Sequence, residues 1–224
     1  MKSVVIVQDH MGYTQRVLAL KAAHPNVIAV TPWDKPHPHC LSFRPPEEWL
    51  PSFPDMSFKR KCYYKADSMG LAALLQHAPP ADYYWFIESD VVASQERWKA
   101  FFADHENNPA DCLCGSLRMR HNTLDNDWWR HEGTPAWTDC YFIMAVYRLS
   151  AAAVRACIAA SVEMRNCFCE LTIGSVTRRA GLTVGSVNER QTHWNTQTFK
   201  ATPGKVILNR DLINHPVKKN SYDI

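Results

Sequence analysis

Tyr84-Trp85-Phe86-Ile87-Glu88-Ser89-Asp90-Val91 is the stretch on which the reading of this chain turns. Its aromatic and β-branched run, Tyr83 to Ile87, predicts a buried and central strand. Two carboxylates spaced i and i+2 follow at its C-terminal end. In an extended chain such residues point to the same side, so both acids can face one cation. Ligands of open α/β sheets bind at that end of the strands. A polar turn after a strand would use the same residues, so the surrounding chain has to decide.

Upstream, Ser3 to Val7 is a short β-branched run, followed by the polar turn Gln8-Asp9-His10-Met11-Gly12. Tyr13 to Ala23 predicts a helix with Val17, Leu18 and Leu20 apolar, stopped at His24-Pro25-Asn26. Val27 to Thr31 is a second strand. Strand, helix, strand is a βαβ opening and favours a parallel sheet. Pro32 to Pro54 carries seven of the 14 prolines, which predicts an irregular loop or flap. Lys59 to His77 reads as one helix, ended by Pro79-Pro80.

Downstream, Gln95 to His105 predicts a helix and Asp111 to Leu117 a strand. Arg118 to Thr138, with Trp128, Trp129 and Trp137, reads as a long loop at the site. Cys140 to Tyr147 is a strand, Ser150 caps a helix from Ala151 to Glu163, and Phe168 to Ala180 is a helix closed by Gly181. Leu182 to Val187 and Lys205 to Leu208 are short strands, and the rest is tail. The fold class that follows is α/β: a single domain with a mixed central sheet, a parallel N-terminal half and helices on both sides.

Composition sets outer bounds. The 224 residues suit one domain, and 46% hydrophobic with 21% charged is ordinary for a globular protein. Eight Trp, 8 Tyr and 9 Phe exclude a disordered chain. A net charge of +3 does not by itself imply nucleic acid. The first residues meet Asp9 before any secretory h-region can form, and no apolar run approaches a membrane span, so a cytoplasmic location is expected. The eight cysteines, with Cys-x-Cys at 112/114 and 167/169, read as reduced buried thiols rather than a zinc site.

The order of these features resembles the GT-A glycosyltransferases. The βαβ opening is similar to that family's Rossmann-like nucleotide-binding half. Glu88-Ser89-Asp90 resembles its Asp-x-Asp motif, with Glu in the first place. Phe142 to Ser150 resembles the segment leading into the acceptor half. Cys169-Glu170-Leu171 resembles the acidic position that faces the acceptor, and Asn214-His215-Pro216-Val217-Lys218 the late His-Pro-x-Lys segment. The resemblance spans roughly Val4 to Lys218. It implies a donor half over residues 1–110 and an acceptor half over 111–224. It also implies a nucleotide-sugar donor of UDP or GDP type and Mn2+ or Mg2+ bridging acid and phosphate, because carboxylates alone would repel a diphosphate.

The resemblance further implies roles. Asp90 is a metal ligand; Glu88 binds the metal through water or holds the ribose or sugar. His215 is the distant third ligand or a solvated tail histidine. Lys218 is a diphosphate contact or a surface lysine. Gln8, Asp9 and His10 meet the nucleotide, with Ser89 between the two acids, and Tyr13 stacks there or packs its helix. Glu170 and Asp139 compete as the general base that an inverting transfer needs. The tryptophans suit stacking on a sugar or base. Lys59-Arg60-Lys61 with Lys65, Arg118 with Arg120, Arg178-Arg179 and Lys218-Lys219 are solvated faces or, taken together, a surface for a phosphate-rich acceptor.

The function implied is hexosyl or pentosyl transfer to an acceptor hydroxyl, on a surface glycan, a lipid-linked oligosaccharide or a hydroxymethylated base of viral DNA. The alternatives are a sugar nucleotidyltransferase, which would need a glycine-rich loop where Gln8 to Gly12 holds one glycine, and a non-catalytic sugar- or nucleotide-binding module. Donor sugar, stereochemistry and oligomeric state are not readable.

Overall fold

The computed structural model describes residues 2–9, 14–31, 40–77, 79–119, 133–194 and 211–215. The expectations for His10, Tyr13, Trp128, Trp129, Arg120, the 205–208 strand, Lys218 and Lys219 lie outside these residues.

The main sheet is mixed, with order β3-β2-β1-β4-β6-β5-β7. Its strands are β1 (Ser3–Gln8), β2 (Val27–Thr31), β3 (Cys40–Ser42), β4 (Tyr83–Glu88), β5 (Cys112–Met119), β6 (Cys140–Ser150) and β7 (Val184–Ser186). β1 pairs in parallel with both β2 and β4, and β2 with β3. β6 is antiparallel to β4 and β5. The parallel N-terminal half and mixed sheet expected from the sequence are therefore present. β3 is an addition: Cys40–Ser42, a proline-free stretch inside the proline-rich segment, pairs in parallel with β2 at the sheet edge.

The helices are α1 (Thr14–Ala23), α2 (Phe58–Tyr64), α3 (Ala66–His77), α4 (Gln95–His105), α5 (Ala151–Ala160) and α6 (Cys169–Arg179). α1 and α4 cover one face, where Val5, Val7, Trp85 and Ile87 pack with Val17, Leu20, Trp98 and Phe101. α3, α5 and α6 cover the other, where Val4, Ile6, Tyr84 and Phe86 pack with Leu71, Ala72, Val154, Leu171 and Ile173. β4 is buried on both faces, which is why its sequence is a continuous apolar run without alternation. Full burial of each such side chain stabilises by about 1.5–3 kcal/mol, so β4 anchors the sheet whose tip carries the acids.

Local chemistry sets the helix ends. The Ser57, Ser94 and Ser150 hydroxyls accept from the backbone N–H three residues on, at Arg60, Arg97 and Ala153. Gly181 takes φ +74 after α6, the left-handed closure a glycine allows.

Three expectations need correction. The helix read over Lys59 to His77 is two, broken at Lys65, whose φ −118 and ψ 52 leave the helical region. The break turns Lys65 inward: its Nζ lies 3.2 Å from Asp67 Oδ2 and 2.9 Å from Thr172 Oγ1, at 1% side-chain exposure. Lys65 therefore belongs to no solvated basic face. The helix read to Glu163 stops at Ala160, where Ser161 turns its hydroxyl onto the Cys157 carbonyl. All eight cysteines are free and buried, as read.

Candidate metal centre

β1 and β4 lie in register, Gln8 opposite Glu88, so both strands end at the same level. The sheet runs outward on opposite sides of this pair, β2 from β1 and β6 from β4, which makes the crevice beyond them a topological switch point. The turn after β4 is held on several sides. Ser89 N–H donates to the Gln8 carbonyl at 3.2 Å. Arg16 on α1 donates to the Ser89 carbonyl at 3.1 Å. Beyond the turn, Val92 and Asn214 exchange both backbone hydrogen bonds, at 2.9 and 2.8 Å.

Asn214 sits in β9 (Ile213–His215), which pairs in parallel with β8 (Thr192–Trp194) to form a separate two-stranded ribbon. The Val92 pairing fixes β9 against the turn and so delivers His215 to the acids. His215 Nε2 lies 3.0 Å from Glu88 Oε2 and 3.3 Å from Asp90 Oδ1. One ligand atom from each of Glu88, Asp90 and His215 falls within 4.8 Å of the others, the compact oxygen, oxygen and nitrogen set that a divalent cation takes. Asp90 is fully buried and His215 nearly so, so the cluster is a built site rather than a surface accumulation of acids. Burial alone would lower the His215 pKa. Hydrogen bonds and charge from Asp90 and Glu88 outweigh it and raise the value to about 9.

Glu170 opens α6 beside this cluster. Burial pushes its carboxyl up to about 8; the Glu88 charge adds to the rise, while the His215 charge and a hydrogen bond from the Met144 backbone oppose it. Asp139 stands elsewhere: its carboxylate accepts from Arg178 Nε at 2.7 Å and is 41% exposed. Gln8 and Asp9 are buried at the end of β1. Gln8 Nε2 donates to the Ala66 carbonyl at 2.9 Å, and Asp9 N–H to the Val30 carbonyl at 2.7 Å. Ser89 is buried in the turn between the acids. The structure thus brings Glu88, Asp90, His215 and Glu170 together, with Gln8 and Asp9 at the neighbouring strand end.

Two features carried no signal in the sequence. The buried Lys65–Asp67 pair reaches α6 through Thr172. Cys169, beside Glu170, feels the charges of Asp67, Glu170, Lys65 and Glu88 together, which places the pair in the same polar neighbourhood. Arg16, a cation within α1, braces the turn between the two acids through the Ser89 carbonyl. A cavity of about 550 Å3 opens between α1 and α4, lined by Gln15, Arg16, Val92, Ser94 and Gln95 among others.

No protein-family model matches this sequence, and no curated protein does. Solved structures do show a likeness in shape. The galactosyltransferase LgtC, solved with donor and acceptor sugar analogs, is 12% identical, with a TM-score of 0.47 over 89% of this chain and 78% of that one. The glycosyltransferase GlyE of Streptococcus pneumoniae is 12% identical, with a TM-score of 0.46 over 100% of this chain and 58% of that one. Glucosyl-3-phosphoglycerate synthase of Mycobacterium tuberculosis, solved with Mn2+ and uridine diphosphate, is 12% identical, with a TM-score of 0.41 over 83% of this chain and 70% of that one. Likeness at this level assigns no activity to the chain.

Proposed function

We propose that this chain is a GT-A-type glycosyltransferase that takes a sugar from a nucleotide-sugar donor in a reaction dependent on Mn2+ or Mg2+. The observation that carries the reading is the convergence of Glu88, Asp90 and His215 within 4.8 Å at the mouth of the switch-point crevice. When bound, the divalent cation neutralises the donor diphosphate and offsets the charge that builds there as the bond to the sugar C1 breaks. Glu88, Asp90 and His215 hold that cation. Gln8 and Asp9, with His10, Tyr13 and Ser89, bind the nucleoside end, and Lys218 binds the diphosphate. Residues 1–110 form the donor half and 111–224 the acceptor half.

Glu170 takes the proton of the acceptor hydroxyl in an inverting transfer. Its burial beside the metal group supports it over Asp139, which Arg178 already holds. The acceptor is a glycan hydroxyl. Two of the basic groups that would favour DNA are neutralised by acids, Arg178 by Asp139 and Arg179 by Glu163, and Lys65 is buried. A DNA acceptor would show binding that falls steeply with salt, and a glycan acceptor would not. Among the described residues no helix is long and apolar enough to cross a membrane.

The test is a panel of UDP- and GDP-sugars with Mn2+, read by donor hydrolysis and by melting temperature. The true donor raises the melting temperature and is hydrolysed, and Asp90→Ala loses turnover by orders of magnitude. A binding module would keep its ligand affinity in Asp90→Ala. If neither a rise in melting temperature nor hydrolysis appears with any common sugar nucleotide, the reading is lost.

A further inference from the structure

His215 is the one member of the metal group that does not come from the main sheet or its turn. It ends the β8–β9 ribbon, and two-stranded ribbons are marginal on their own in water. Something else must fix this ribbon to within the few tenths of an ångström a ligand set tolerates. On the β9 side, the Val92–Asn214 pair and the buried Ile213 do so, the latter packed among Val91, Trp98 and Val187. On the β8 side, the work falls to α4.

α4 reaches the ribbon through residues on one helix face. His105, buried, has Nδ1 2.8 Å from the Phe101 carbonyl and Nε2 3.1 Å from the Asn188 backbone N–H. The Asn188 N–H can only donate, so Nε2 is the accepting nitrogen and Nδ1 carries the proton. The Asp104 carboxylate accepts from Gln191 Nε2. Arg97 pairs with Asp211 at 3.1 Å, but that pair is largely exposed and holds little. Asn188 caps and Gln191 ends the 3-10 turn Glu189–Gln191, which runs straight into β8. β8 in turn sets β9 by the register Thr192 with Ile213 and Trp194 with His215.

We propose that His105, seconded by Asp104, is a positioning residue for the metal site: it moors the turn that begins β8 and thereby holds His215 in ligating position. This rests on the reading of Glu88, Asp90 and His215 as metal ligands. Glu88 and Asp90 are fixed by β4 and its turn, so loss of the mooring disturbs the third ligand alone. The expected signature is a weaker metal site that still works once it is filled.

The experiment is titration of the full chain with Mn2+, following the paramagnetic resonance of the free ion, for the wild type, His105→Ala, His105→Gln and Asp90→Asn. His105→Ala is expected to weaken Mn2+ binding about tenfold, the usual size of an outer-shell effect on a metal site. His105→Gln keeps an acceptor near the place of Nε2 and should recover most of the affinity. In turnover with the true donor, the Mn2+ concentration for half-maximal rate should rise by the same factor, with kcat at saturating Mn2+ changed less than about twofold. If His105→Ala binds Mn2+ as the wild type does, whatever its melting temperature, the mooring role is wrong. Should His105→Ala not fold, Gln191→Ala removes the Asp104 contact from the partly exposed side. Weakened binding there supports the proposal, and wild-type binding overturns it. A wild type that binds no Mn2+, like Asp90→Asn, defeats the metal reading itself, a different result from a tight wild type with an indifferent His105→Ala.

Discussion

His215 Nε2 lies 3.0 Å from Glu88 Oε2, although 127 residues of chain separate them. Asp90 Oδ1 lies 3.3 Å from the same nitrogen. A ring nitrogen held between two acids is occupied by a proton until a cation takes its place, so metal binding here releases a proton. Glu88 and Asp90 would repel each other less with a cation beside them, and the three side chains that would hold it are brought together only in the folded chain. Mn2+ at a hundred times its dissociation constant should stabilise by about 2.7 kcal/mol. In a chain of this length each kcal/mol moves the melting temperature by about 2–4 °C, so a rise of about 5–10 °C is expected, reversed by chelator. His215→Ala should lose most of it. Equal shifts in both proteins would mean the ion binds elsewhere.

Gly70 presses α3 against the end of β1. A Cβ there would fall 2.7 Å from Gln8 Nε2 and 2.7 Å from Phe86 Cδ1. Phe86 cannot yield, since it is fully buried and stacks on Tyr147 at 4.7 Å with planes 3° apart. Gly70→Ala would gain about 1 kcal/mol from helix propensity on an open helix, but here overpacking of about 1–3 kcal/mol should win. The prediction is net destabilisation in urea unfolding and weaker donor binding, because Gln8 is displaced. A more stable Gly70→Ala would show that α3 can slide.

Asp111 ties three strands together at the far end of the sheet. Its carboxylate accepts from Ser150 Oγ at 2.8 Å and from both the Thr183 N–H and hydroxyl at 3.0 Å. Burial alone would raise its pKa, but these hydrogen bonds outweigh that and hold it below the ordinary value. The folded chain therefore binds this proton less readily than the unfolded chain. The stability Asp111 contributes is complete above its unfolded pKa, about 3.9, and is lost as pH falls through the lowered folded value. Asp111→Asn should cost about 1 kcal/mol at pH 7, discounted for solvent exposure, and less at pH 2. Denaturant midpoints at the two pH values read the difference, and a constant cost across pH would refute the assignment.

The parts of the fold that sequence shows are those governed by local rules. The β4 run and its acid pair, the βαβ opening, Ser94 before Gln95 and Ser150 before Ala151 all carry their cause within a few residues. Gly181 announces the end of α6 in the same way. The parts that do not show are set by contacts across the chain. Asp67 stands two residues from Lys65, but nothing nearby says that the ammonium leaves the helix surface, because Thr172, which receives it, lies 107 residues away. Periodicity cannot find β9 either: three residues are too few to show a period, and the strand is set by its pairing with β8 and by the single bridge to Val92. Arg16 reads as a helix cation until its carbonyl partner, 73 residues on, is known. His215 stood out only through a resemblance, since no local feature demands a ligand there.

The Lys65–Asp67 pair gives the sharpest energetic test. Both side chains are almost fully enclosed, at 1% and 3% exposure, and Thr172 satisfies Lys65 further at 2.9 Å. A buried pair is not in itself a large stabiliser, because desolvation offsets most of its attraction. Removing one partner is different, since it leaves the other charge stranded. Lys65→Met should therefore cost about 3–5 kcal/mol, a large share of the roughly 5–15 kcal/mol by which domains are stable. Asp67→Asn in the Lys65→Met background removes the stranded charge and should restore more than about 1 kcal/mol. The two substitutions will then be strongly non-additive, as contacting residues are. Urea midpoints at constant slope measure all three variants. Additive costs would mean the two charges do not depend on each other, and the break between α2 and α3 would then need another cause.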